Sequence, residues 1–240
     1  MNSFNALPNT TKVLLIINIA FFAVAALYPQ LTDLLALHHF ESSLFKPHQL
    51  LTHIFMHGGL AHLFFNMYAL FMFGAILESQ LGALRFNLLY FFSAIGAFVL
   101  HMGINWFQLQ ALPVETLNLL HTEGAEILAK GMNYKDEVLG NANIQYNGAI
   151  VGASGALMGI LAGFAMLFPN AKLSIIFIPF QLEAKYFMPI YMVIELVLGV
   201  SSFQWDNIAH FAHLGGAIFG FILMLIWIKS GKIRKTVRFR

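Results

Sequence analysis

NGAIVGASGALMGILAG, residues 147–163, decides how this chain is read. Its glycines, Gly148, Gly152, Gly155, Gly159 and Gly163, recur at steps of four, three, four and four. On an α-helix those steps make one continuous stripe, and a small-residue stripe lets a second helix approach backbone to backbone. Ser154 sits beside the stripe, about one residue's rotation away. A serine in an apolar helix ordinarily bonds back to its own carbonyls. GASG alone is therefore a weak signal, and the rest of the chain has to give it meaning.

The surroundings are apolar. Of 240 residues 59% are hydrophobic and 10% charged, and the mean hydropathy is +0.73. A soluble domain carries roughly 25% charged residues. The composition therefore predicts an all-α, multi-span membrane protein rather than one or two soluble domains. The absence of cysteine excludes disulfides, a thiolate nucleophile and thiolate metal ligands. A net charge of only +2 argues against nucleic acid as a partner.

Six stretches have the length and apolarity of membrane helices: 12–28, 51–77, 84–106, 149–168, 186–203 and 208–228. The first follows a long polar leader with one positive charge, Lys12, and reads as a span rather than a cleaved secretory signal. The whole of 1–240 reads as one polytopic domain ending in a basic tail, 229–240. Lys12, Arg85, Lys172, Lys185 and the tail's basic residues fall on one side of a six-span arrangement. Only Lys46, Lys130 and Lys135 fall on the other. The basic excess predicts a cytoplasmic location for the first side and for both ends, and the expected location is a bacterial inner membrane. The tail fixes topology and meets anionic headgroups. KLSIIFIPFQLEAKYF, with Ile175, Ile176 and Ile178 before Pro179, predicts an extended piece ahead of the fifth span. The long segment 107–147 contains a helix-like run, LNLLHTEGAEILAK, suited to the interface.

Polar side chains in spans are costly and mark function by default. The second candidate span places His53 and His57 one turn apart, and His62 and Asn66 four apart on one face. Interhelical hydrogen bonding is the plain reading of all four. His62 and Asn66 can also aim two donors at a single acceptor. No HExxH and no nearby carboxylate accompany these histidines, so no metal site is expected.

The last span, in NIAHFAHLGGAIFGF, supplies a partner for Ser154. Ala209, His213, Gly216 and Gly220 follow steps of four, three and four, which puts His213 on the small-residue face. His210 lies about 60° off it. If Gly155 and Gly159 pack against Gly216 and Gly220, His213 is brought to Ser154. A serine becomes a nucleophile when a base lies within hydrogen-bond reach. Acyl transfer also needs donors aimed at the developing oxyanion. His62, Asn66 and the backbone N–H of Ser154 are the candidates. Asp206 falls on the loop side of the last span and Glu195 belongs to the fifth, so a Ser–His dyad is expected rather than a triad.

Together these residues resemble the rhomboid intramembrane serine proteases, over about residues 45–225. HGGLAHLFFNMYAL is similar to the family's HxxxN span, with His62 and Asn66 at the matching positions. GASG, including Gly152, is similar to its GxSG motif, with Ser154 as nucleophile. AHLGGAIFG is similar to its AHxxGxxxG motif, with His213 as base. The resemblance implies a compact six-helix bundle with a short central helix carrying Ser154. It implies cleavage of transmembrane segments of other proteins in or near the bilayer, without a cofactor. It also implies that span five and the loop near SSFQWDN act as gate and cap.

Three departures stand out. Met158 occupies a position that is often aromatic in the family and stacks on the histidine. His48 and Gln49 stand where a Trp-Arg pair is common, which weakens the expected bracing of the first loop. The 107–147 connection is long. Two other functions fit the same composition. A non-catalytic rhomboid-like protein would bind or escort membrane segments but typically lacks the serine or histidine. A channel would use the histidines as a proton path.

Overall fold

The computed structural model of the chain describes residues 6–174, 181–201 and 208–233. Helix α1 is Asn9–Leu27. A short α2 (Gln30–Leu35) and a looped stretch lead to α3 (Gln49–Thr52) and the 3₁₀ turn His53–Phe55. α4 (Leu60–Ala69) continues through a π-helical turn, Leu70–Gly74, into α5 (Ala75–Leu81). α6 is Ala83–Leu109. α7 (Val114–Leu119), a second π turn (Leu120–Gly124), α8 (Ala125–Ala129) and α9 (Glu137–Asn147) make the long connection largely helical. α10 is Ser154–Leu167. Strands β1 (Lys172–Ser174) and β2 (Gln181–Glu183) pair antiparallel, with Lys172 opposite Glu183. α11 (Ala184–Ser201) and α12 (His210–Lys229) follow. The two strands flank residues 175–180, where the extended piece expected before span five falls. Ile175, Ile176, Ile178 and Pro179 lie outside the described residues, as do residues 202–207, Asp206 among them, and the tail from 234 onward.

Five helical stretches among the described residues are long and apolar enough to cross a membrane: Asn9–Leu27, Leu60–Leu81, Ala83–Leu109, Ala184–Ser201 and His210–Lys229. α10 is the exception. Its 14 residues rise about 21 Å, short of a hydrocarbon core of about 30 Å. All its residues except Ser154, Met158 and Met166 are buried, against α6, α11 and α12. A bundle of longer helices thus surrounds a short one, and Ser154 opens that short helix.

The helices differ from the sequence reading at two places, both set by glycine. The second span starts at Leu60 and not at 51, because Gly58 and Gly59 interrupt the helix and Gly59 is fully extended. His53 and His57 therefore lie outside the spanning helix, on the 3₁₀ turn and the link after it. The fourth helix starts at Ser154 and not at 149. Gly152 has φ +124, a conformation closed to helical residues. Ile150 forms a β-bridge with Leu37, and the Gly152 N–H donates to the His53 carbonyl at 3.0 Å. Gly148 and Gly152 share the spacing of the stripe but belong to this tethered approach.

Gly155 and Gly159 carry the seam that the sequence predicts. A Cβ on Gly216 would overlap the Gly155 carbonyl oxygen, and one on Gly220 would overlap the Gly159 Cα. On the other side of α10, a Cβ on Gly155 would strike Ala97 of α6 and one on Gly159 would strike Ser93. Three backbones meet here with no room for a methyl group. In lipid, where apolar burial gives helices little reason to associate, such contact is the main packing force.

The loop before α3 is well braced despite lacking the family's Trp-Arg pair. Gln49 is fully buried; its Nε2 donates to the Leu44 carbonyl at 3.0 Å and its Oε1 accepts from the Lys46 N–H at 3.1 Å. His48 Nε2–H donates to the Leu34 carbonyl at 2.8 Å. The two residues expected to weaken the loop supply its ties. A comparable tie holds α1: Glu78 of α5 accepts from the N–H groups of Thr10 and Thr11 at 2.9 and 2.7 Å. A carboxylate at the positive end of a helix is favourable on electrostatic grounds as well.

Candidate active site

Ser154 and His213 meet as the paired stripes predict. His213 Nε2 lies 2.8 Å from Ser154 Oγ. His213 is buried on α12, and Ser154 is partly exposed at the start of α10. The seam sets this distance, because Gly216 lies one turn beyond His213 and packs on Gly155, the residue after Ser154.

The far side of the imidazole departs from the expected dyad. His213 Nδ1 lies 3.0 Å from Glu195 Oε1. Glu195 projects from α11, and its second oxygen, Oε2, lies 2.6 Å from His210 Nδ1. A carboxylate is thus positioned against His213, and the expectation that none would be is corrected. Sequence spacing cannot reveal which helix is the neighbour of α12. One signal was available: Glu195 is the sole acidic residue of the apolar α11, and a lone carboxylate in such a helix needs partners. His210 is likewise tied into the cluster, from the flank of α12.

The Nδ1 contact favours one of the two proton arrangements of the ring. A carboxylate only accepts, so a hydrogen on Nδ1 would be bonded there and would leave the Nε2 lone pair for the serine O–H. In that tautomer Ser154 Oγ–H donates to Nε2, the alignment a nucleophile needs with its base.

His62 and Asn66 crowd the approach to Ser154 from α4. A Cβ on Gly152 would fall 2.7 Å from His62 Nε2 and 3.6 Å from Asn66 Nδ2. Gly152 is thus required twice, for its backbone angle and for the space His62 occupies. Asn66 Nδ2 is buried and has no hydrogen-bond acceptor among the described residues. It lies beside Gly152, two residues ahead of the serine. The His57 ring meets His62 edge-on at 5.1 Å and backs it from outside the span. Burial lowers the pKa of His53 and His57 to about 4, so both are neutral at neutral pH. Met158, one turn along α10 from Ser154, is partly buried against the main core.

In a peptide-cleaving site built this way, His62→Ala and Asn66→Ala would each slow cleavage by roughly 10²–10³-fold, the usual cost of one oxyanion donor. Rates measured on folded protein, with thermal stability taken in parallel, check this. Wild-type rates in either variant would remove that residue from the donor set.

A short, buried helix thus opens on a serine, with a histidine 2.8 Å from its hydroxyl and His62 and Asn66 packed beside Gly152. A family model for the Rhomboid domain matches residues 45–113 and 118–230. The chain belongs to the rhomboid family. It is 34% identical over 128 residues to the mitochondrial presenilin-associated rhomboid-like protein of Rattus norvegicus, covering 50% of this chain and 32% of that protein. It is 27% identical over 181 residues to mitochondrial Rhomboid protein 1 of Saccharomyces cerevisiae, covering 75% and 41%. An uncharacterized mitochondrial rhomboid protein of Schizosaccharomyces pombe is 27% identical over 218 residues, covering 79% and 55%. The chain thus matches about a third to a half of the length of these relatives. They correct one expectation, that of a bacterial inner membrane with both ends in the cytoplasm. The relatives are eukaryotic and are named as mitochondrial. The multi-pass membrane character stands.

Proposed function

We propose that the chain is an intramembrane serine protease that hydrolyses peptide bonds in or near transmembrane segments of other membrane proteins. One observation carries the reading: the 2.8 Å contact between Ser154 Oγ and His213 Nε2 at the head of a short buried helix. Ser154 attacks the peptide carbonyl carbon while His213 Nε2 takes the hydroxyl proton. His62, Asn66 and the Ser154 N–H stabilise the oxyanion. The imidazolium then gives its proton to the leaving amine, and an acyl-enzyme remains on Ser154. Water, deprotonated by the same Nε2, releases the acid and restores the serine. Position supports the substrate class, since a site walled by membrane helices meets segments that already lie in the bilayer.

The test uses purified wild type and Ser154→Ala in liposomes with a single-span reporter. Small, helix-breaking residues are placed near one end of its span. Wild type is expected to cleave the reporter and to take a fluorophosphonate label, and Ser154→Ala to do neither. Cleavage that persists in Ser154→Ala overturns the mechanism. A wild type that neither cleaves nor labels turns the reading toward a chain that holds membrane segments without cutting them.

A further inference from the structure

We infer that Glu195 is a positioning residue for His213, fixing its tautomer and ring plane from the neighbouring helix α11. The inference rests on the protease reading and assigns Glu195 a part in it. Glu195 is 4% exposed, in a helix whose neighbouring Val193, Ile194, Leu196 and Val197 are exposed and apolar. A charged group in such a helix is retained only where its hydrogen-bonding capacity is filled. Here both oxygens are engaged, Oε1 by His213 and Oε2 by His210. Tyr191 lies one turn back on the same face of α11.

A purely structural tie between α11 and α12 would be satisfied by His210 alone. The other oxygen, Oε1, does something more specific. It holds the proton of His213 on Nδ1, and so keeps the Nε2 lone pair on Ser154. When Nε2 takes the serine proton, the imidazolium keeps its Nδ1–H bond to Oε1. Glu195 stays ionised throughout and no proton passes to it. The 2.6 Å contact of Oε2 with His210 restrains rotation of the carboxylate.

Glu195→Gln tests this with little change of shape. The amide can present an N–H to Nδ1 and so favour the opposite tautomer. We expect kcat to fall by roughly 10²–10⁴-fold with KM within about twofold, as for loss of an orienting carboxylate in other serine hydrolases. Fluorophosphonate labelling of Ser154 should slow in proportion. Nitrogen-15 NMR of histidine-labelled protein in micelles reads the tautomer directly, with His213→Gln to assign the signal. Wild type should carry the His213 proton on Nδ1, and Glu195→Gln should lose that state. Wild-type turnover in Glu195→Gln, or a wild-type proton on Nε2, overturns the inference. If Glu195→Gln does not fold, the wild-type tautomer alone decides. If wild type neither cleaves nor labels, the protease reading fails, and the tautomer measurement still decides the role of Glu195.

Discussion

Replacing Ser154 or His213 with alanine is expected to lower cleavage by roughly 10⁴-fold or more, and replacing both to lower it no further. The expectation follows from the single 2.8 Å contact that joins them. Without His213 the serine hydroxyl has no acceptor for its proton. Without Ser154 the base has nothing to activate. Each loss removes the whole nucleophilic path, so the second loss has nothing left to remove. Side chains acting independently would instead multiply their effects. Single and double variants compared on one reporter, with labelling as a second readout, separate the two cases. A double variant far slower than either single would show that the serine and histidine act separately.

The second large effect concerns the seam. Gly216→Ala is expected to destabilise the bundle by about 3 kcal/mol or more, at the upper end of overpacking costs. The added methyl would meet the Gly155 carbonyl oxygen, and backbone cannot rotate aside as a side chain can. The two helices must part, and Ser154 and His213 part with them. Gly103→Ala in α6 is the control. A Cβ there meets nothing, and exchanging a helical glycine for alanine gains up to about 1 kcal/mol. Thermal unfolding in one detergent should show Gly216→Ala well below wild type and Gly103→Ala at or above it. Equal melting temperatures for the two variants would refute the account of the seam.

Much of this architecture was legible in the sequence because the deciding signals are periodic. Steps of three and four among Gly155, Gly159, Gly216 and Gly220 identify facing surfaces, and His213 is carried on one of them. His62 and Asn66 reach the site because their spacing puts both on one face of α4. Periodicity misleads where a residue keeps the spacing but leaves the helix. Gly148 and Gly152 extend the stripe on paper, yet the positive φ of Gly152 and the Ile150–Leu37 bridge take them off α10. His53 and His57 leave the second span for a similar reason, the break at Gly58 and Gly59. Glu195 shows another limit. Its part depends on which helix lies beside α12, and no repeat within α11 encodes that neighbour.

Asn147 gives the loops a different standing from ordinary connections. His38 Nδ1–H donates to its carbonyl at 3.0 Å, and Ser42 Oγ donates to its Oδ1 at 2.8 Å. Its own Nδ2 donates to the Leu120 carbonyl at 2.9 Å. Two connections distant in sequence are thus knotted at one side chain, just ahead of the run that leads to Ser154. Exposed connections usually accept inserted sequence without harm. In this protein that tolerance belongs to the exposed turn at Lys130, Gly131 and Met132. A tag or reporter grafted there leaves the knot intact. The same graft between His38 and Ser42 would loosen the footing of the serine from outside the bundle.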